Sequence, residues 1–542
     1  MTELRPRVQA WIEDEVNPAD AAELSDLLAA GDPAAEAELA DRFGGVLRFG
    51  TAGLRGPLRA GPNGMNAAVV RQAAAGIAAQ LGAQQRQGQL VVIGYDGRHR
   101  SREFAHDSAR VLAAAGFRAR VLPRLLPTPV LAFAVGYLQA AAGIMVTASH
   151  NPPQDNGYKV YAADGAQIVP PLDAEIEAQI RAVPSIRAIP LSDDYEVLDE
   201  SIVQAYVDAV AGLVRPPSAD GRRELIIVHT AMHGVGAAVF GQVLAQAGFA
   251  PAIEVSEQAE PDPDFPTVAF PNPEEPGAMD LALARAQASG ADVIIANDPD
   301  ADRCAVGARF GTRWRMLRGD EVGVLLADWL IRNGTTGTYA TTIVSSTMLA
   351  AMAAKHGLGY AETLTGFKWI SRAAPDLVYG YEEALGYAVA PELVRDKDGI
   401  SAGLLIAELA AELKAAASDI PHRLAELASE YGLFATRQQS WRVSDVSRIA
   451  DAMARLRAEA PNSLLGRPVT VTDLSSAPNG ADVMILRFDG GRVVVRPSGT
   501  EPKCKAYLEV VVRDGHDLPA AEATAASWLD ELVQQVSAVL AF

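Results

Sequence analysis

The chain has 542 residues, of which 49% are apolar and 21% are charged, a balance typical of folded globular proteins. Its length exceeds one ordinary hydrophobic core and predicts about three to five domains. The 47 basic and 67 acidic residues give a formal net charge of −20, which disfavours electrostatic binding to nucleic acid or to an anionic membrane.

Cysteine content and the N-terminus predict a cytoplasmic protein. Cys304 and Cys504 are too few and too far apart for a disulfide framework or a thiolate metal site. The first residues lack the apolar segment of a secretory signal. No uncharged run approaches the about 18–20 apolar residues that span a bilayer. We therefore expect neither membrane insertion nor export.

Apolar β-rich runs alternate with Ala-rich stretches of helical period, a pattern that favours α/β layers with a mostly parallel sheet. A helix, a glycine and a strand follow one another around Gly116, around Gly248 and, more weakly, around Gly357. Glycine at a helix C-terminus explains such a junction, but any α/β protein contains some, so internal repetition stays open. After Tyr431, shorter strands and the turn Asp489-Gly490-Gly491 predict a smaller α+β domain.

The predicted organisation is a helical N-terminal extension, three similar mixed α/β domains and a smaller C-terminal α+β domain. The boundaries follow polar, Pro-rich or helix-rich stretches of the sequence. The predicted bounds are 1–45 for the extension, 46–205 for domain 1, 206–311 for domain 2, 312–430 for domain 3 and 431–542 for domain 4.

An acidic loop, Asp298-Pro299-Asp300-Ala301-Asp302-Arg303, follows an apolar predicted strand. Three carboxylates at alternate positions can converge on one hard divalent cation, whose charge offsets their mutual repulsion. A calcium EF-hand loop needs glycine at its sixth position and glutamate at its twelfth, where this loop has Arg303 and Arg309. The pattern favours magnesium, with a solvated acidic turn as the alternative.

A second loop, Thr147–Pro152, follows the apolar run Ala142–Val146. Ser149 therefore lies at the carboxyl end of a predicted strand, where α/β proteins commonly bind ligands. A serine hydroxyl needs a base or a metal to act as a nucleophile, and the surrounding residues do not form a Gly-x-Ser-x-Gly elbow. A purely structural Ser-His-Asn turn remains the alternative.

A third loop, Arg496–Lys503, follows another apolar strand. Arg496 offers phosphate a bidentate fork, while the hydroxyls of Ser498 and Thr500 and the amide of Gly499 can donate hydrogen bonds to its oxygens. The alternative interpretation is a β-turn with exposed charges.

The segment Gly380–Tyr387 carries the adjacent pair Glu382 and Glu383, whose carboxylates could accept hydrogen bonds from neighbouring sugar hydroxyls. Alone, such a pair is most often a solvated face. The segment His233-Gly234-Val235-Gly236 begins like a dinucleotide fingerprint, but Val239 stands where its third glycine should be.

Together the four loops resemble the α-D-phosphohexomutase family, which includes phosphoglucomutases and phosphomannomutases. The loops occur in the family's order, and Thr51–Gly56, Gly94–Arg98 and Thr365–Trp369 add to the match. The chain is most similar to the longer branch that also contains phosphopentomutases, because it shares the N-terminal extension and the Asp396–Gly399 segment. The resemblance implies four domains around a central cleft, each contributing one loop.

The same resemblance assigns a phosphoserine to Ser149 and one Mg²⁺ to Asp298, Asp300, Asp302 and an oxygen of that phosphoserine. The catalytic residues that it predicts besides Ser149 are Arg55, His150, Lys159, Arg303 and Lys368, with Lys159 and Lys368 as proton carriers. The predicted substrate-binding residues are Glu382, Glu383, Arg395, Lys397, Arg496, Ser498, Gly499, Thr500 and Lys503. Ala384 replaces a serine found in many members, which puts a preference for hexose in doubt.

The implied reaction interconverts a sugar 1-phosphate and a sugar 6-phosphate, with glucose as the expected sugar, through a phosphoserine enzyme and a bound sugar bisphosphate. Mannose and pentose phosphates are alternative substrates on the same scaffold. A metal-dependent phosphatase and a non-catalytic sugar-phosphate sensor are the competing functions. We expect a small phosphosugar as the only ligand class and a monomer or weak homodimer.

Overall fold

The computed structural model describes residues 4–50, 53–214, 224–443, 445, 447–476, 480–498, 503–514 and 517–542. The chain divides into two compact units. Unit 1 comprises Met1–Leu317 and Gly386–Ala415, and unit 2 comprises Arg318–Leu385 and Ala416–Phe542. Across the described ranges, no helix has both the length and the apolarity needed to cross a membrane.

The N-terminal extension of unit 1 is helical. Its helices are α1 (Leu4–Asp14), α2 (Pro18–Ala30) and α3 (Pro33–Arg42). Asn17 and Asp32 cap α2 and α3 with side-chain oxygens, and each is followed by a proline at the first helical position, the preferred start of a helix. The helices enclose a small apolar cluster that includes Val8, Leu24 and Phe43.

The first α/β domain follows the extension. Its strands are β1 (Leu54–Pro57), β2 (Leu90–Tyr95), β3 (Arg118–Val121), β4 (Ala142–Val146), β5 (Asp155–Ala162) and β6 (Glu196–Val197), and its helices are α4 (Ala67–Ala83), α5 (Ser101–Ala114), α6 (Thr128–Tyr137), α7 (Leu172–Arg181) and α8 (Ser201–Ala211). The sheet order is β1-β5-β4-β2-β3-β6. Strands β2 and β4 are buried along their whole length, as expected for a parallel sheet covered on both faces.

The second α/β domain also belongs to unit 1. Its elements are β7 (Ile227–Thr230), α9 (Gly236–Gln246), β8 (Ile253–Glu254), α10 (Asp280–Ser289), β9 (Val293–Ala296), β10 (Ala305–Phe310) and β11 (Arg313–Met316), in the sheet order β11-β10-β9-β7-β8. A later segment of the chain, Gly386–Ala415, also belongs to this unit. It contains β15 (Gly386–Ala388) and the buried helix α14 (Gly399–Ala415), which packs against α9.

Unit 2 begins with the third α/β domain. Its elements are α11 (Gly319–Arg332), β12 (Thr338–Thr342), α12 (Met348–His356), β13 (Gly359–Thr363), α13 (Phe367–Ile370), β14 (Leu377–Glu382) and, later in the chain, α15 (Ile420–Tyr431). Strand β12 pairs in parallel with both β13 and β14. Three buried tyrosines, Tyr339, Tyr379 and Tyr381, lie side by side in this sheet.

The C-terminal domain of unit 2 is an antiparallel sheet with two helices. Its elements are β16 (Leu433–Arg442), α16 (Ser447–Ala458), β17 (Ser463–Leu464), β18 (Arg467–Pro468), β19 (Thr470–Asp473), β20 (Met484–Phe488), β21 (Gly491–Pro497), β22 (Lys503–Val512) and α17 (Leu518–Leu540). The main sheet has the order β16-β22-β21-β20-β19. The helices bury Met453 and Leu529 against it, which confirms the predicted α+β character.

The three α/β domains share one internal topology. In each, three parallel strands alternate with two helices, and the first strand lies between the second and the third: β3-β2-β4, β8-β7-β9 and β13-β12-β14. The glycine junctions left open whether the chain contains an internal repeat, and this shared topology shows that it does. The third strand of each copy ends at a predicted functional loop, because a reversal of strand order leaves a crevice at that edge of a parallel sheet. The fold class is therefore confirmed.

Candidate active site

Ser149 lies in a tight loop after β4. The residue is 3% exposed, and its backbone has a φ of +52°, a left-handed conformation that costs a non-glycine residue about 1–3 kcal/mol. The amide of Ser149 donates to Thr147 Oγ1 at 2.9 Å. A Cβ at Gly157 on β5 would lie 2.5 Å from the Thr147 carbonyl oxygen, so glycine is required for the adjacent strand to pack here.

Arg98 holds this loop from the end of β2. Its buried guanidinium donates to the carbonyl oxygens of Ser149 at 2.7 Å, Pro152 at 2.8 Å and Asp155 at 3.1 Å, and also to that of Asn151. One planar fork therefore fixes the direction of four peptide groups around the strained serine.

Asp298, Asp300 and Asp302 converge at the end of β9. All three carboxylates are buried, and one oxygen from each lies within 4.8 Å of the others. Ala301 has a φ of +54°, and this turn brings the alternate carboxylates to the same side. The Oδ1 atoms of Asp300 and Asp302 accept no hydrogen bond from any residue that the structure describes. Buried carboxylate oxygens without partners fit a hard divalent cation.

The serine and aspartate loops meet in unit 1. Ser149 Oγ donates to Asp298 Oδ2 at 2.8 Å, and His150 Nδ1 lies 3.2 Å from the same hydroxyl oxygen. Burial, together with the charges of Arg303 and Arg55, lowers the pKa of His150 well below its ordinary value. His150 is therefore a neutral imidazole next to the hydroxyl.

Two lysines supply positive charge to the acidic loop. The ammonium of Lys159 lies 2.7 Å from Asp300 Oδ2 and 2.7 Å from Asp302 Oδ2, and the ammonium of Lys397 lies 3.2 Å from Asp302 Oδ2. Burial opposes ionisation of Lys159, but the two carboxylates outweigh it and raise the lysine pKa. Burial likewise opposes ionisation of Asp300, but Lys159 brings its pKa below the ordinary value.

Asp298 has partners of its own, which include Arg303 Nε at 3.8 Å and the hydroxyl of Ser149. Burial first, and then the neighbouring charges of Asp300 and Asp302, raise its pKa well above the ordinary value. The trio therefore contains a carboxylate, directly beside Ser149 Oγ, whose negative charge Arg303 compensates only in part. A bound cation would relieve this imbalance.

Arg55 and Arg303 extend the same site. Arg55 Nη1 donates to Asn151 Oδ1 at 3.2 Å, next to Ser149. Arg303 Nε lies 3.8 Å from Asp298 Oδ2 and 3.9 Å from Asp302 Oδ1. Two guanidinium groups beside a serine and a carboxylate cluster make the site suitable for a phosphoryl group, whose oxygens need both cations and directed donors.

Two glycines let other segments pack against the acidic loop Asp298–Arg303. A Cβ at Gly399 would lie 2.1 Å from the carbonyl oxygen of Arg303, and one at Gly234 would lie 2.3 Å from Pro299 Cα. The amide of Val235 donates to the Pro299 carbonyl at 2.9 Å. The dinucleotide-like segment His233–Gly236 therefore packs against this loop, and its glycines serve that close approach.

Several residues of this site were not singled out as functional by the sequence. Arg98 is one of them. Thr128 is another, and its Oγ1 donates to Asp300 Oδ2 at 2.6 Å. Tyr161 and Gln167 both donate to Asp396 Oδ2 at 2.7 Å. Arg98 could have been found from its position in the Gly94–Arg98 segment. Thr128, Tyr161 and Gln167 carry no local signal, because only tertiary contacts give them polar partners.

In unit 2, the predicted sugar-contacting glutamates lie at the end of β14. Glu382 is the last residue of that strand. Glu383 Oε2 accepts hydrogen bonds from Ser345 Oγ at 2.9 Å and Thr342 Oγ1 at 3.3 Å. Burial and the neighbouring charges of Glu382 and Asp320 raise the pKa of Glu383 to about 7. We call Glu382–Leu385 the glutamate loop.

The remaining predicted residues of unit 2 are near the end of β21 and the start of α13. Arg496 Nη1 donates to Thr365 Oγ1 at 2.5 Å, which brings it to the loop that precedes Lys368. The Lys368 ammonium lies 5.2 Å from the Trp369 ring centroid. The Ser498 amide donates to the Lys503 carbonyl at 2.8 Å. Gly499 and Thr500 lie outside the described residues.

Arg395 belongs to unit 1, like Lys397. Its Nη1 lies 3.9 Å from Asp164 Oδ2 and its side chain is partly exposed. Lys397, in contrast, is buried with its ammonium turned towards Asp302 and Asp396.

Known proteins match along almost the entire chain. Four family models describe phosphoglucomutase/phosphomannomutase domains: the α/β/α domains I, II and III match residues 46–187, 204–311 and 318–428, and the C-terminal domain matches 442–517. A probable phosphomannomutase of Haemophilus influenzae is 45% identical, over 84% of this chain and 94% of that protein.

Two further proteins are similar to this chain over most of its length. A phosphopentomutase of Mus musculus is 34% identical over 94% of this chain and 90% of that protein. The crystal structure of a putative phosphomannomutase from Thermus thermophilus is 27% identical, with a TM-score of 0.70 over 90% of this chain and 99% of that one. The chain belongs to the phosphoglucomutase/phosphomannomutase family, the α-D-phosphohexomutases, and is an intramolecular phosphotransferase that acts on small phosphosugars.

Proposed function

We propose that this protein interconverts glucose 1-phosphate and glucose 6-phosphate through a phosphoryl group carried on Ser149. The observation that carries the proposal is the 2.8 Å contact between Ser149 Oγ and Asp298 Oδ2, within a buried carboxylate trio. A serine that only shaped a turn would have no need of three converging buried carboxylates. A phosphoryl carrier does, because transfer requires a cation beside the reacting oxygen.

We propose Mg²⁺ as the cation, held by Asp298, Asp300, Asp302 and an oxygen of phospho-Ser149. When bound, it would neutralise charge that develops on the phosphoryl oxygens. The Oδ1 atoms of Asp300 and Asp302, which accept no hydrogen bond from the described residues, support these ligands, and the all-oxygen donor set suits Mg²⁺.

In this scheme the phosphorus of phospho-Ser149 is attacked by the C6 hydroxyl of glucose 1-phosphate. The bond from phosphorus to Ser149 Oγ breaks as the new bond forms, giving glucose 1,6-bisphosphate and a free serine. After the bisphosphate turns over, Ser149 Oγ attacks its 1-phosphate and glucose 6-phosphate leaves. Arg55 and Arg303 would orient the phosphoryl group, which is the main contribution that such a transfer asks of a protein.

The protons of each transfer need a carrier. Lys159 is held in its charged form by Asp300 and Asp302, so we assign it the role of a proton donor to the departing oxygen. His150 Nδ1 lies 3.2 Å from Ser149 Oγ and would orient this hydroxyl, whose proton is donated to Asp298 Oδ2. Lys368 is the proposed base that accepts the proton of the attacking hydroxyl, which a charged Lys159 cannot take.

The other predicted residues are assigned to binding of the sugar and of the phosphate that is not transferred. We assign the sugar hydroxyls to Glu382 and Glu383, and the phosphate that is not transferred to Arg496, Ser498, Gly499, Thr500 and Lys503. Arg395 and Lys397 complete the proposed substrate-binding set. A separate site for the idle phosphate lets either orientation of the bisphosphate bind, which distinguishes a mutase from a phosphatase.

Mannose and pentose phosphates are the second candidates. The 45% identical relative is a probable phosphomannomutase, and phosphopentomutases match at 34% over more than nine tenths of this chain. Ala384 puts the hexose preference in doubt, because a serine hydroxyl that many family members offer at this position is missing.

The test compares kcat/KM for glucose 1-phosphate, mannose 1-phosphate and ribose 1-phosphate, each with its own bisphosphate and Mg²⁺. We expect the highest value for glucose 1-phosphate. A higher value for another sugar would replace the glucose assignment, and stoichiometric release of inorganic phosphate would indicate a phosphatase.

Ser149→Ala tests the phosphoryl carrier, with intact mass as the second measurement. The wild-type protein should gain one phosphoryl group from the bisphosphate, whereas Ser149→Ala should gain none and lose isomerisation. Near-normal isomerisation by Ser149→Ala would refute the scheme. Ser108→Ala is the matched control, because Ser108 is also buried and its hydroxyl donates to the Phe104 carbonyl at 2.7 Å within α5, away from the carboxylate trio.

A further inference from the structure

A buried ion pair joins β21 and β22 on the C-terminal sheet of unit 2. Arg492 and Glu509 are each 4% exposed and lie opposite each other in the strand register. Arg492 Nε is 3.2 Å from Glu509 Oε2. Burying two charges is costly unless their remaining donors and acceptors also find partners.

Those partners come from the loop that follows β12. Glu509 Oε1 accepts hydrogen bonds from Ser346 Oγ at 2.7 Å and from the Thr347 amide at 2.7 Å, and Oε2 accepts one from Thr347 Oγ1 at 2.8 Å. Arg492 Nη2 donates to the carbonyl oxygen of Ser345. We call Ser345–Thr347 the support loop. The ion pair of the C-terminal domain thus determines the position of a loop in the third α/β domain.

The support loop in turn holds the glutamate loop. Ser345 Oγ donates to Glu383 Oε2 at 2.9 Å and accepts a hydrogen bond from the Glu383 amide at 3.1 Å. Both the backbone and the side chain of Glu383 are therefore tied to one hydroxyl. This reciprocal pair leaves the residue little freedom to rotate.

Packing and a second ion pair keep the arrangement rigid. Ile343 and Val344, directly before the support loop, pack against Val494 of β21. Arg492 Nη1 also reaches Glu362 Oε1 on β13 at 2.6 Å. Since side chains two residues apart on a strand share a face, Arg492, Val494 and Arg496 all lie on the same face of β21.

We propose that Arg492 and Glu509 are positioning residues for sugar recognition: through the support loop they fix the glutamate loop relative to the strand that carries Arg496. This inference rests on the proposed roles of Glu382 and Arg496. A bisphosphate that binds in two orientations requires a constant separation between the group that holds the sugar and the group that holds the idle phosphate. A buried ion pair within the C-terminal domain, hydrogen-bonded to the support loop of the third α/β domain, provides that constancy.

The first test is independent of catalysis. Hydrogen exchange, followed by mass spectrometry, is compared between the wild-type protein and the variants Arg492→Lys and Glu509→Gln. We expect faster exchange in peptides covering the support loop and the Glu383 amide. Arg487→Lys is the matched control, because Arg487 contacts the same Glu362 at 3.4 Å from an exposed position. Unchanged exchange of Glu383 in both variants would overturn the proposal.

The second test measures the effect on sugar binding. We expect Arg492→Lys to raise KM for the preferred sugar 1-phosphate about tenfold or more, because small displacements of a binding group have large effects. It should also narrow the preference among glucose, mannose and ribose phosphates, with little change in the phosphorylation of Ser149 by the bisphosphate. An equal loss on all three sugars through kcat alone would overturn the proposal.

Ser345→Ala decides whether the effect passes through the Ser345 hydroxyl. If it does, the losses of Arg492→Lys and Ser345→Ala in kcat/KM are less than multiplicative in the double variant. Multiplicative losses would mean independent routes and would overturn the proposal. Glu509→Gln serves in the same cycle if Arg492→Lys does not fold. If the wild-type protein acts on none of the three sugars, only the proposed substrates are refuted. The hydrogen-exchange experiment still tests whether Arg492 and Glu509 position the glutamate loop.

Discussion

Arg98→Lys is the most informative single change in unit 1. The guanidinium of Arg98 donates to four backbone carbonyls of the Ser149 loop, and Ser149 itself has a left-handed backbone. Lysine keeps the charge but lacks the planar fork, so its single ammonium can satisfy only some of these acceptors.

The expected magnitude follows from those contacts. A hydrogen bond to a charged group contributes about 1.5–3 kcal/mol, so losing two of the four removes about 3–6 kcal/mol of support. That exceeds the about 1–3 kcal/mol by which the left-handed serine is strained. The loop would then relax, and a displacement of Ser149 by about 1 Å lowers the rate about 100-fold.

The assay measures kcat, KM and the fraction of phosphorylated Ser149 for Arg98→Lys. We expect kcat to fall about 100-fold with KM changed much less, since the Arg98 guanidinium donates to the backbone carbonyls of the loop. Arg102→Lys, at an exposed position of the nearby helix α5, is the control and should behave like the wild-type protein. A kcat for Arg98→Lys within about threefold of wild type would refute this reasoning.

Three further predictions concern the acidic loop Asp298–Arg303 and the glutamate loop. Asp300→Asn should weaken Mg²⁺ binding by calorimetry more than the about 10–100-fold that loss of an outer-shell partner causes; unchanged affinity would exclude Asp300 as a ligand. Gly399→Ala places a Cβ 2.1 Å from the Arg303 carbonyl and should lower the free energy of unfolding by about 1–3 kcal/mol or more, whereas Gly241→Ala, with open space around its Cβ, should not. The pKa of Glu383 is raised from 4.5 to about 7 in the folded protein. Between pH 4.5 and about 7 the folded protein therefore binds a proton at Glu383 that the unfolded chain does not, and the free energy of unfolding falls as the pH rises through this range. Urea unfolding across this range should show a flatter pH dependence for Glu383→Gln, and an unaltered slope would contradict the assignment.

Local sequence was sufficient for the fold class and for the positions of the reactive loops. Gly116, Gly248 and Gly357 have positive φ angles of 84°, 83° and 66°, as the helix-to-strand junctions required. Ser149 and Asp298 each follow a strand that reads as a short apolar run. Hydrophobic periodicity and glycine conformation are properties of neighbouring residues, and they therefore appear in a single sequence.

The partners of those loops depended on contacts between distant residues. Lys159 was predicted from resemblance as a proton carrier, but its ammonium pairs with two carboxylates more than 140 positions away. Glu383 was predicted to bind sugar, and its carboxylate accepts hydrogen bonds from Ser345 and Thr342. In both cases the charge state depends on burial and on partners that no local pattern encodes.

By itself the sequence determined the order of the elements, the strand ends that carry chemistry and the residue types available there. Tertiary structure alone decided that Arg98 donates to the backbone of the Ser149 loop and that Arg492 donates to Ser345. It also decided that Gly234 and Gly399 pack closely against the acidic loop Asp298–Arg303. The physical reason is that helix and strand formation depend on near neighbours. Close packing and charge pairing join residues whose separation along the chain is fixed only when the domains fold.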